Sequence, residues 1–105
     1  MAIDDGHAVD YTAVRRGSPI YASDEVEVGR VHEVLDNARE HIFDGIVFDS
    51  NEGKRRFVDA PEVARTAERA VTLNITASEA AELPPPERKT GTAPGLLGRL
   101  FRGRR

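Results

Sequence analysis

Between Arg16 and Thr76 the apolar runs are short, and a glycine or a polar turn interrupts them roughly every ten residues. That is the rhythm of short strands joined by tight turns. The helices that link parallel strands need ten or more residues of 3.6-residue periodicity, and none of that length is found. The chain therefore reads as mostly β, with helical turns serving as plugs.

The segments follow in order. Residues 1–10 read as a flexible leader. Tyr11 to Gly17 is short, β-prone and ended by glycine, and Ser18-Pro-Ile-Tyr21 is a brief strand opened by proline. Val26 to Asp36 is a longer strand in which Val26 and Val28 alternate until Gly29 breaks the phase, which predicts a bulge or bend. His41 to Ser50 is the most apolar strand, with Ile42, Phe43, Ile46, Val47 and Phe48 offered as core. Asn51-Glu-Gly53 marks a hairpin, and Lys54 to Asp59 is the returning strand.

Two segments carry the spacing of a helix cap. Asp59-Ala-Pro-Glu62 predicts a short helical turn holding Val63 and Ala64. Ala70 to Thr76 alternates cleanly, with Val71, Leu73 and Ile75 facing inward. Thr76-Ala-Ser-Glu79 then predicts a closing helix that ends near Leu83. Pro84-Pro-Pro86 ends the domain, which spans 11–83. Residues 84–105 read as a Pro/Gly-rich linker and a disordered basic tail.

Charge divides along the same boundary. The whole chain carries a net −3. Beyond Pro84 six basic residues (Arg88, Lys89, Arg99, Arg102, Arg104, Arg105) face one acid, Glu87, which leaves +5 there and −8 in residues 1–83. An acidic body repels nucleic-acid phosphate, so any such contact is expected from the tail alone. The absence of cysteine removes disulfides, thiol nucleophiles and thiolate metal sites, and fits a reducing compartment. No secretory signal and no membrane-length apolar run is read. The expected setting is the cytoplasm, with peripheral contact at the inner membrane surface open to the tail.

With the strands placed, certain residues form a familiar series. Arg16-Gly-Ser-Pro-Ile-Tyr21, Asp24 and Val28-Gly-Arg-Val-His-Glu-Val-Leu-Asp36 resemble the opening of the PRC-barrel family. Ile42-Phe-Asp-Gly-Ile-Val-Phe-Asp49 and Phe57-Val-Asp-Ala-Pro-Glu-Val63 look like its third and fourth strands with the turn that follows, and Val71-Thr-Leu73 fits its closing strand. The likeness covers about residues 14–76. The family takes its name from the cytoplasmic domain of the photosynthetic reaction-centre H subunit, and a related barrel ends a ribosome-maturation factor. The resemblance implies a small bacterial PRC-barrel-like β-barrel, with short helical turns after the fourth and last strands. It implies an interaction module with no family-wide active site or cofactor. Neither relative's additional part, a membrane span or a separate N-terminal domain, is read here, so a free-standing member is expected.

Candidate sites are few. His32 and His41 flank one turn, and as neighbours on adjacent strands they are candidates for a metal or a pH response. Strand-end histidines exposed to solvent are the plainer account. The acids lack the spacing of a calcium loop, and no phosphate-binding glycine loop or nucleophile elbow is present, so no catalytic residue is assigned. Lys54, Arg55 and Arg56 suit an acidic or phosphate-bearing partner, or simply protect a hairpin edge from pairing. In the tail, Leu96, Leu97, Leu100 and Phe101 share one helical face, while Arg99 and Arg102 lie elsewhere. Such a segment suits an anionic membrane surface, a partner groove or RNA. The expected partners are thus a second copy in a homodimer and an unidentified protein. A ribosome-assembly role and a metal-binding barrel stand as alternatives.

Overall fold

The computed structural model describes residues 3–37 and 39–86. Its strands are β1 (Pro19–Tyr21), β2 (Glu27–Asn37), β3 (Ile42–Ser50), β4 (Arg55–Asp59), β5 (Val63–Thr66) and β6 (Val71–Leu73). One short helix, α1 (Ala77–Ala80), follows, and 3-10 turns occur at Tyr11–Ala13 and Ala60–Glu62. All six strands form a single sheet in the order β4-β3-β2-β1-β6-β5. Only β1 and β6 pair in parallel; the other neighbours are antiparallel.

The strand order makes the sheet curl. β4 and β5 are its two edges, yet only Ala60–Glu62 joins them. Flat, the edges of six strands lie about 24 Å apart at the usual interstrand spacing. The steps from Asp59 to Val63 span at most about 14 Å. The sheet therefore bends until its edges meet at this corner, although no ladder joins β4 to β5 among the described residues.

The concave side holds the core. Ile20, Val31, Ile46, Phe48, Val58, Val71, Leu73 and Ala80 form one buried cluster, with Val14, Val28, Val34, Phe43, Val63, Ile75 and Leu83 packed against it. Alternation along β3 and β4 places Ile46, Phe48 and Val58 on this side and Val47, Asp49, Arg55 and Phe57 on the other. Two glycines allow the close approach. A Cβ on Gly29 would collide with the Asp49 carbonyl and come within 2.8 Å of the Phe48 ring. Gly45 has φ +154, and a Cβ there would run into the Val58 carbonyl and the Phe57 ring.

The expected strands at 18–21, 26–36, 41–50, 54–59 and 70–76 all appear, with shifted ends. The phase break near Gly29 is a bulge at Val28, because Ile20 pairs with Gly29 while Tyr21 pairs with Glu27. A second irregularity falls at His32. Other expectations are corrected. Residues 11–13 form a 3-10 turn rather than a strand, started by Asp10, whose carboxylate accepts from the Thr12 amide at 3.1 Å. Ile42 is 48% exposed and lies outside the core. At Asp59 the turn forms with proline in its first positions, but no side-chain cap bond is made. Val63 and Ala64 start β5 instead of extending that turn. The box at Thr76 does form: its hydroxyl accepts from the Glu79 amide at 3.2 Å, and the Glu79 carboxylate accepts from the Thr76 amide at 2.9 Å.

The segment read as a flexible leader is hydrogen-bonded to the β5 side of the sheet. The Val9 amide donates to the Thr66 carbonyl at 2.9 Å, the Glu68 amide to His7 at 3.0 Å, and the Arg69 amide to Asp5 at 2.9 Å. Asp5 is the one buried charged residue of the described chain, and it accepts from Arg65 Nε at 2.8 Å. That guanidinium holds its carboxyl below the usual carboxylate range. Among the described residues no helix is long and apolar enough to cross a membrane.

Candidate functional site on the convex sheet face

The register of β2, β3 and β4 sets Arg30, Asp49 and Arg55 side by side in one row. Arg55 Nε donates to Asp49 Oδ1 at 2.9 Å. The other carboxylate oxygen lies 3.8 Å from His32 Nδ1, and that nitrogen is 3.4 Å from a terminal nitrogen of Arg16. The result is a continuous polar chain, Arg16–His32–Asp49–Arg55, across the convex face. Arg30 joins it by geometry, with its guanidinium donating to the Gly17 carbonyl at 3.1 Å and standing 3.6 Å from Glu27. Lys54 is exposed at the adjacent hairpin.

On a body of net −8, this row gathers cations around one carboxylate. Such charges are shared among solvated partners, so each pair contributes little stability by itself. Their combined field remains available to an incoming acidic group. One step along the strands lies an apolar row, where Val47 pairs with Phe57, and Leu35 pairs with Gly45 beyond it. Both Val47 and Phe57 are buried. The face thus sets two buried apolar side chains beside the exposed cations Arg16, Arg30 and Arg55.

The sequence-based candidates are dispersed. Arg55 enters the row, whereas Arg56, its neighbour on β4, points to the opposite side. There its guanidinium donates to the Leu83 carbonyl at 2.6 Å and to Glu52 at 3.1 Å. It also lines a cavity of about 150 Å³ with Glu27, Val28, Phe48 and Ala80. His32 and His41 are not brought together. His41 sits at the hairpin tip with φ 58, next to the Asn37–Ile42 pair, and Asn37 lies roughly 16 Å of extended strand beyond His32. Among the described residues no group of three or more His, Asp or Glu side chains is placed to hold a metal ion. Leu96, Leu97, Arg99, Leu100, Phe101 and Arg102 lie outside the described residues.

Arg16 and Arg30 were not singled out as site residues by sequence, and Asp49 was weighed only among the acids for acid–base work or a hard cation. Arg16 and Arg30 stand within the family-like motif, but only the register shift at His32 explains why that ring reaches Asp49. A second cavity, of about 300 Å³, lies between the 3-10 turn at Tyr11 and β5. The Tyr11 ring stacks on Phe43 there, with centroids 4.8 Å apart. Burial, with Asp36 and Asp10 close by, raises the pKa of the Tyr11 phenol. No family model matches the chain, and no curated protein matches it.

Proposed function

We propose that this chain is a non-catalytic interaction module, a PRC-barrel-like domain that recognises an acidic protein surface through the convex face of β2, β3 and β4. The observation that carries the binding face is the Arg16–His32–Asp49–Arg55 chain, flanked by Arg30 on an otherwise acidic body. Cations held in register on rigid strands can steer a negative partner with little reorganisation.

The barrel reading draws support from the short corner at Ala60–Glu62, which draws both sheet edges together, and from the ring of core residues on the concave side. The elements also follow one another as the family-like motifs require: β1 and β2 at 19–37, β3 and β4 at 42–59, then β6.

The test is crosslinked capture from native lysate with the full chain, compared with Arg30→Glu and Arg55→Glu combined. Charge reversal should remove the captured protein, and raising salt on the unaltered chain should weaken the same band. Undiminished capture by the reversed variant would sink the assignment of this face. Loss of the band on nuclease treatment would shift the reading to the RNA-associated alternative.

A further inference from the structure

Of the residue types in the polar chain on the convex face, only histidine ordinarily changes charge between about pH 5 and 8. His32 is partly covered there, its side chain 21% exposed, and Nδ1 is the atom that meets two partners. A terminal nitrogen of Arg16 stands 3.4 Å from it, and Asp49 Oδ2 stands 3.8 Å from it. His32 is also the extra residue of a bulge, since Val31 pairs with Phe48 and Glu33 with Val47.

Charged groups reach this ring from every neighbouring element. The segment before β1 brings Arg16, with Arg15 one residue earlier. β3 brings Asp49, whose other oxygen holds Arg55 from β4. On β2 itself Arg30 and Glu33 lie to either side, and Glu27 stands 3.6 Å from Arg30.

The two partners of Nδ1 make opposite demands. A guanidinium only donates, so Arg16 is bonded while this nitrogen carries a lone pair. A carboxylate only accepts, so Asp49 is bonded once the nitrogen carries a proton. The neutral ring therefore holds Arg16, whereas the protonated ring repels it and turns to Asp49. Among the described residues the Arg16 guanidinium has no other hydrogen-bond partner. One proton thus adds a cation to the row and frees a second.

We infer that His32 is a proton switch for the convex face: neutral, it ties Arg16 to β2; protonated, it releases Arg16 and adds its own charge, so that acidic partners bind more tightly as pH falls. The inference rests on the reading of this face as a site for acidic groups. Its sign follows from linkage. An acidic partner favours the protonated ring, so binding takes up a proton, and a proton already bound strengthens binding by the same factor.

The probe is a short peptide of aspartates, whose carboxyls stay ionised between pH 8 and pH 6. Calorimetry on the full-length chain should show binding about three- to fivefold tighter at pH 6 than at pH 8. Heats taken in two buffers of different ionisation enthalpy should reveal proton uptake on binding. His32→Asn offers Arg16 a carbonyl acceptor at either pH, so its affinity should stay at the pH 8 value throughout. Arg16→Gln should lose most of the gain, and a full gain in that variant overturns the release of Arg16. His7 and His41 remain in both variants, so a gain that persists in His32→Asn also overturns the switch. Equal affinity of the unaltered chain at the two pH values overturns the switch and leaves the face standing. Binding that survives Arg30→Glu with Arg55→Glu, or no binding at either pH, removes the face and the switch together.

Discussion

At the β5 side of the sheet the cover is residues 5–9, joined by main-chain bonds and by the Asp5–Arg65 and Asp4–Arg69 ion pairs. At the β4 edge the cover is residues 83–84, joined by one main-chain bond and by Arg56, whose side chain is 13% exposed. An uncovered edge invites pairing with other chains, so both solutions answer the same hazard. They differ in what sustains them. The first is fastened through carboxylates that titrate, buried Asp5 on Arg65 and exposed Asp4 on Arg69, and the second through a guanidinium that donates to a main-chain carbonyl. The difference predicts that the β5 cover yields to pH and ionic strength while the β4 cover does not.

The largest expected effect comes from breaking the β4 cover. Arg56→Ala removes charge-assisted bonds to Leu83 and Glu52 from a nearly buried site, which should cost about 2 kcal/mol in urea unfolding. The Phe57 amide should then exchange faster with deuterium. An unchanged midpoint would show that residues 83–84 are held by other means. A smaller loss is expected at the cap of α1, the element that leads into this cover. Thr76→Ala removes half of the reciprocal cap, at about 1 kcal/mol, measured in the same titration.

The smallest global effect belongs to the β5 side. Asp5→Asn should speed exchange at the His7, Val9 and Glu68 amides while leaving the global midpoint almost unmoved. The pH dependence has a definite sign. The Asp5 carboxyl titrates lower in the folded chain than when unfolded, because Arg65 hydrogen-bonds its charged form. Its stabilising contribution is therefore complete above the ordinary carboxylate range and is lost as pH falls through the lowered folded value. Acid should release residues 5–9 before the rest of the sheet, and Asp5→Asn should abolish that early step. Simultaneous loss of all amide protection would contradict the comparison.

What could be read from sequence was local. Val71 and Leu73 alternate within a few residues, and the Thr76–Glu79 cap bonds to itself, so both were legible. The β5 strand was not, since Val63-Ala-Arg-Thr66 is too short to display alternation and follows a helix-start signal at Asp59 and Pro61. The partners of residues 5–9 lie about sixty positions away, and no local pattern announces them. The candidate face was hidden for a related reason. Arg16, His32, Asp49 and Arg55 become neighbours only through ladder register, and an extra residue at His32 sets where that ring lands. Lys54, Arg55 and Arg56 form one basic run in the sequence, but β-strand alternation sends Arg55 and Arg56 to opposite sides.

The corner at Ala60–Glu62 gives the fold an adjustable dimension. Strand pairing dictates which neighbours touch, whereas the length of this corner dictates how tightly the whole sheet must be rolled. Lengthening it by a few glycines would slacken the curvature of every strand at once without deleting a single contact in the ladders. A change at one loop would thereby widen or narrow the oily interior and reshape the face opposite it.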